Sequence, residues 1–250
     1  MDTVSTAGSP HTPRPVSSRT TYALAAVALV LIGLVVAFWL IAGRHDPVAV
    51  RDDGYGNVHN TAVVSSVQPD GVIRVGKPDA AVTIEMFEDP LCPACGALER
   101  VYGQEIAKKM DEGKLAVNYH LLTFLDPQSK SKDYSTRASA ANLCVAQGGS
   151  GPVYSAFHST LFTTKQPEEG GAPDLDNAAL AAIAKESGAP ESVATCITSG
   201  AQLATAKAAD HSGQQDLSKR LDGQVATPSV FQGTTRIDTK DENWVNKVAP

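Results

Sequence analysis

Long basic runs, a second pair of closely spaced cysteines and the signature motifs of hydrolases are all missing from this 250-residue chain. With a net charge of -6 and no cluster of Lys and Arg, it has no electrostatic footprint for nucleic acid, and that class is set aside. No GxSxG or HExxH occurs, so hydrolase chemistry has no foothold. Gly148-Gly149-Ser150-Gly151 lacks the Lys-Ser/Thr of a phosphate loop and reads as a helix connector. Only four cysteines are present. A zinc knuckle would need a further CxxC or CxxH, which is absent, so neither a metal nor a cofactor is expected. His120 and His158, isolated on a strand and a helix, read as structural residues. What the chain does have is 42% apolar residues, enough for a substantial core.

The N-terminus sets the compartment. Residues 1–20 are rich in Ser, Thr and Pro and have the composition of a disordered tail. From Thr21 to Gly43 there is no charge, a run long enough for the roughly 30 Å hydrocarbon layer. Tyr22 and Trp39 stand near its ends, as interfacial rings do. With Arg14 and Arg19 before it and mixed charges after it, the run is expected to be an uncleaved single-pass anchor in the cell membrane. The tail is then cytoplasmic and the bulk of the chain extracytoplasmic. Residues 44–64 read as a linker, and 65–250 as the folded domain. Outside the cytoplasm, disulfides persist.

Within the domain, Val82–Phe87 is β-branched and aromatic and ends before Pro90, which predicts a buried strand. Leu98, Val101, Tyr102, Ile106 and Met110 then fall on one helical stripe, stopped near Gly113. Leu115–Phe124 reads as a second strand, parallel to the first across a right-handed crossover. Residues 128–219 carry helical spacings broken by Gly and Pro, predicting helices near 134–147, 152–163, 176–187, 190–198 and 201–218. Strand character returns at Val225–Phe231, and a short terminal helix is expected within 241–248. The fold class is α/β with a helical insertion.

Between the first strand and the first helix stands Cys92-Pro93-Ala94-Cys95. Two intervening residues place both sulfurs in the first helical turn, where free N–H groups and the positive end of the macrodipole favour a thiolate. Pro93 suits that first turn. A static bridge there would close almost no loop and contribute little stability, so reactive chemistry explains the placement better. Cys92, the more exposed, is then the sulfur that exchanges, and Cys95 resolves the mixed disulfide. Cys144 and Cys196, on two helices of the insertion, have no metal-ligand neighbours; a structural disulfide is their most economical use.

The order strand, Glu88-Asp89-Pro90-Leu91-Cys92-Pro93-Ala94-Cys95, helix, strand, helical insertion, then Thr227-Pro228 before a strand resembles the DsbA-like thiol–disulfide oxidoreductases of the membrane-anchored actinobacterial type, which have a thioredoxin fold. The resemblance covers roughly residues 65–250. It implies that Thr227-Pro228 is a cis-proline loop that docks extended substrate peptide. It implies that Glu88 and Asp89 match an acidic pair able to move a proton from Cys95, although solvated turn residues would read the same way. Ala94 stands where the well-known Cys-Pro-His-Cys form has histidine, which implies a less acidic Cys92. Leu91 replaces the tryptophan of the reductases. The expectation is an oxidase that forms disulfides in reduced, unfolded exported proteins and is reoxidised by a membrane partner of DsbB or VKOR type. The alternatives are a reductase or isomerase, or a redox-inert peptide-binding chaperone module.

Overall fold

The computed structural model describes Tyr22, Arg51 and residues 53–171 and 173–250. The expected tail and the span at 21–43, Tyr22 apart, lie outside the described residues. Among those described, no helix is long and apolar enough to cross a membrane.

Among the described residues six strands form one sheet: β1 (Val64–Val67), β2 (Ile73–Gly76), β3 (Val82–Glu88), β4 (Leu115–Leu121), β5 (Ser229–Gln232) and β6 (Thr235–Arg236), in the spatial order β1-β2-β4-β3-β5-β6. β3 and β4 are parallel, Val82 opposite Leu115 through Glu88 opposite Leu121, and α1 (Pro93–Asp111) makes the crossover between them. All other pairs are antiparallel. β3 is therefore central, as its near-continuous apolar run requires.

Between β4 and β5 the chain builds α2 (Tyr134–Gln147), α3 (Gly151–Thr163), α4 (Asn177–Glu186), α5 (Glu191–Ser199) and α6 (Leu203–Arg220), and α7 (Trp244–Val248) closes it. Their limits follow local chemistry. The Ser150 hydroxyl and the Asp176 carboxylate accept from Val153 N–H and Ala179 N–H, capping α3 and α4. Gly200, at φ 68°, ends α5 in the left-handed conformation that glycine adopts without a Cβ clash.

Alternation along β3 divides the core. Ile84 and Met86 pack with Leu98, Tyr102, Ile106 and Met110 of α1 and with Tyr154, Phe157 and Phe162 of α3. Phe87 points to the opposite face, where it meets Leu122, Leu217 of α6 and Phe231. Cys144 and Cys196 are joined in a disulfide that ties α2 to α5, with Cα atoms 5.9 Å apart.

Several boundaries differ from those read off the sequence: β4, for one, ends at Leu121, not Phe124. Strand β5 begins at Ser229, not Val225, because 225–228 form the proline loop. β1 and β2, which the sequence reading does not separate from the rest of the domain, form a hairpin closed by Gln68 N–H to Val72 O at 2.8 Å. The linker is shorter than 44–64: Val58 and Val63 are buried, and the Asp111 carboxylate accepts from Tyr55 hydroxyl, His59 N–H and Asn60 N–H at 2.7–3.0 Å. Asp111 is the last residue of α1, so this segment is fastened to the helix that starts at the cysteines.

Candidate functional site

The sheet register assembles the site. Phe87 lies opposite Ser229, which puts the turn after β3 beside the loop preceding β5. The first turn carries Cys92 and Cys95, the second Thr227 and Pro228, and the peptide bond between those two is cis. The Cys92 thiol donates to the Thr227 carbonyl at 3.5 Å across 135 residues of sequence. Both cysteines are free thiols, Cys92 6% exposed and Cys95 fully buried. Cys92 is the N-cap of α1 with Pro93 at the first helical position, so its sulfur sits where the helix presents unpaired N–H groups.

That placement makes the two thiols unequal. Cys92 falls from the ordinary 9.0 to about 6. The largest cause is the hydrogen bond from the Cys95 thiol; burial opposes it, and the Thr227 side chain and the N–H groups of Cys95 and Ala94 add to it. Cys95 moves the other way, raised well above the ordinary range by burial, by its bond to Cys92 and by the charges of Glu88 and Cys92. One sulfur is thus primed to ionise and the other to hold a proton.

The acidic pair is not solvated. Glu88 and Asp89 are both completely buried, so the reading of them as exposed turn residues is excluded. Asp89 organises the turn: it accepts from Ser135 hydroxyl at 2.5 Å, Leu91 N–H at 2.9 Å and Leu125 N–H at 3.0 Å. Burial still pushes its carboxyl up to about 7, against those bonds. Glu88 faces inward, with His158 Nε2 3.4 Å away and Glu99 beyond it. Burial first, and then the Glu99 charge, raise Glu88, whereas for His158 the two carboxylates outweigh burial and raise it too. Both shifts record that this buried cluster is short of positive charge. His158 is therefore more than the isolated structural histidine its sequence suggested, whereas His120 is paired with Glu85 at 2.6 Å and stacked on Phe87.

Three participants gave no sequence signal. Glu99 lies among the apolar positions of α1 but is 6% exposed. Asn142 of α2 lies 3.4 Å from His158 Nδ1. Gln166, just after α3, donates from Nε2 to Cys92 O at 2.9 Å and to Pro90 O at 3.3 Å, clamping the cysteine turn from 74 residues away. Gly96 makes room for that clamp. A Cβ there would stand 2.0 Å from Gln166 Oε1 and 2.6 Å from the Phe162 carbonyl, and the latter is backbone that cannot swing aside. Gly96→Ala is expected to cost about 1–3 kcal/mol, the range for forced overpacking. Thermal unfolding measures this; an unchanged midpoint would show that α1 and α3 separate freely.

Residues 68–247 match the family model described as thioredoxin. The chain belongs to the thioredoxin family. Among solved structures of this family, MdbA, a thiol–disulfide oxidoreductase from Corynebacterium matruchotii, is 27% identical with a TM-score of 0.66, over 76% of this chain and 93% of that one. Reduced DsbA from Mycobacterium tuberculosis is 30% identical with a TM-score of 0.55, over 75% and 98%. These likenesses, with the insertion and the cysteine pair, identify the chain as a DsbA-like thiol–disulfide oxidoreductase of the thioredoxin family. A 190-residue stretch is also 41% identical to the serine/threonine-protein kinase PknE of Mycobacterium tuberculosis strain H37Rv. That stretch is 75% of this chain, which spans about a third (33%) of the length of that relative.

Proposed function

We propose that this protein is an extracytoplasmic oxidase that forms disulfides in reduced exported proteins through Cys92, anchored to the cell membrane by residues 21–43. The observation that carries the reading is the opposite displacement of the two thiols, Cys92 to about 6 and Cys95 well above 9.0. In the oxidised enzyme a substrate thiolate attacks Cys92 Sγ, the Cys92–Cys95 bond breaks, and Cys95 leaves with the electron pair and takes up a proton. The acidic pair at the end of β3, Glu88 and Asp89, handles that proton. A second substrate thiolate then attacks the substrate sulfur of the mixed disulfide and expels Cys92. An acidic thiol leaves readily, so the second step is the one this site favours. The products are a substrate disulfide and an enzyme dithiol; two electrons and two protons then pass to a membrane partner of DsbB or VKOR type. Extended substrate backbone lies along Thr227 and Pro228, next to the reactive sulfur.

The same asymmetry supports electron flow from substrate to enzyme. Stabilising a thiolate stabilises the reduced enzyme, which makes the disulfide a better oxidant. Because the folded pKa of Cys92 lies below its ordinary value, the effect is complete above about pH 9 and fades as pH falls through about 6. At pH 7 it favours the dithiol by about 1.4 kcal/mol, or about 30 mV for a two-electron couple.

The test is the reduction potential in glutathione buffers across pH. It should lie above thioredoxin's, about -270 mV at pH 7, and fall by about 59 mV per pH unit below pH 6 but by only about 30 mV per unit above it. A potential at or below that of thioredoxin would make the protein a reductase. A break in slope delayed until near pH 9 would show that Cys92 is not activated.

A further inference from the structure

The cluster beneath the cysteines holds polar atoms that no hydrogen bond completes. Glu88 ends β3, Glu99 lies in α1 and His158 in α3, and all three are at least nine-tenths buried. Both Glu88 oxygens, Glu99 Oε1 and His158 Nε2 lack a hydrogen-bond partner. One ligand-type atom from each residue lies within 4.8 Å of the other two. The sequence conceals this because the three come from separate elements, with none of the short spacings that mark a metal site.

The orientation of the imidazole sharpens the problem. Asn142 Nδ2 donates to Ala138 O at 2.9 Å, so its Oδ1 is the atom facing His158 Nδ1, and Nδ1 carries the hydrogen. In the neutral ring Nε2 is then a bare lone pair aimed at two carboxylates, an arrangement that demands a positive charge between them. A proton on Nε2 is one source, but charge-assisted N–H to carboxylate bonds run at about 2.7–2.9 Å, whereas here the separations are 3.4 Å to Glu88 Oε2 and 3.6 Å to Glu99 Oε1. Those lengths match the edges of a tetrahedron. Ligands bound about 2.0–2.1 Å from a zinc ion stand about 3.3–3.4 Å apart.

We propose that Glu88, Glu99 and His158 form a binding site for a divalent cation of the zinc class, with water as fourth ligand. Two carboxylates, a neutral imidazole and a doubly charged ion sum to zero, which is what a buried site requires. Asn142 fills the supporting place, fixing the tautomer that leaves Nε2 free to ligate. A cavity of about 70 Å³ lined by Glu99, His158, Tyr154 and Ser155, though not by Glu88, gives room for water beside the site. Three protein ligands and an open position describe an exchangeable site. The site stands independently of the oxidase reading but bears on it: a Glu88 carboxylate held by a cation is not free to take the proton of Cys95, so the ion would act as a brake on exchange.

The full-length chain, in detergent, is stripped with a chelator and oxidised so that Cys92 and Cys95 are bridged and cannot bind metal. Calorimetric titration with Zn²⁺ should show one ion per chain, and the Cys92→Ser/Cys95→Ser variant should match it. Loss of even a supporting partner costs 10–100-fold in affinity, so Glu99→Gln and His158→Gln should each weaken binding by more than about 100-fold. His211→Gln, on an exposed part of α6, should not. With Co²⁺, the unmutated oxidised protein should give tetrahedral d–d absorption without a thiolate charge-transfer band, a readout that needs no variant to fold. No uptake by the oxidised protein, uptake confined to the reduced dithiol, or binding that survives Glu99→Gln and His158→Gln would each overturn the site. None of these results bears on the potential-against-pH test, so the two proposals fail separately.

Discussion

Replacing Cys92 with serine is expected to remove thiol–disulfide exchange, lowering the rate of disulfide formation in a reduced substrate by about 10³-fold or more, while the fold stays intact. The reason is chemical and not steric. Serine fits the N-cap position at least as well as cysteine, but its oxygen cannot form the mixed disulfide. Cys95→Ser should behave differently: Cys92 still reacts, nothing resolves the product, and a covalent complex with substrate accumulates on non-reducing gels. The pair also separates two roles of Cys95. Its thiol is the largest single cause of the acidity of Cys92, so Cys95→Ala should raise the Cys92 pKa, whereas serine, still a donor, should keep most of the shift. Unchanged exchange in Cys92→Ser, or no trapped complex in Cys95→Ser, would place the chemistry elsewhere.

The second large effect concerns the other cysteines. The Cys144–Cys196 bridge spans 52 residues and joins two helices of the insertion. Closing a loop of that size is worth about 4 kcal/mol in the chain-entropy model. For a domain near 200 residues, each kcal/mol moves the melting point by about 2–4 °C. Cys144→Ala/Cys196→Ala should therefore lower the melting midpoint by roughly 8–16 °C. Cys144 is 2% exposed in the core, and alanine leaves no unpaired polar atom there. The reduction potential of the Cys92–Cys95 pair should not move, since the bridge touches neither sulfur. A shift in melting point under 2 °C would mean that packing alone holds α2 to α5.

These results separate what patterning could reveal from what only three dimensions could. β3, α1 and the helices of the insertion follow hydrophobic periodicity and caps, so their positions agree with the sequence to within a residue or two; α2 begins and ends where expected. Strands of four residues or fewer, such as β1, β2 and β6, offer too few alternations to register against turns. The cysteine pair and Thr227-Pro228 were legible because each is local. Glu99, Asn142 and Gln166 were not, because what distinguishes them is burial beside residues from other elements. A glutamate on a helix reads as a surface residue until something is packed on top of it.

The docked strap at the start of the domain also couples residues 51–60 to the helix whose N-terminus carries the reactive sulfur, so a change in the strap bears on the site from the far end of that helix. Arg51 N–H donates to Arg100 O at 2.9 Å, and Tyr55 and residues 59–60 close on Asp111, so the chain is bound to α1 from near residue 51.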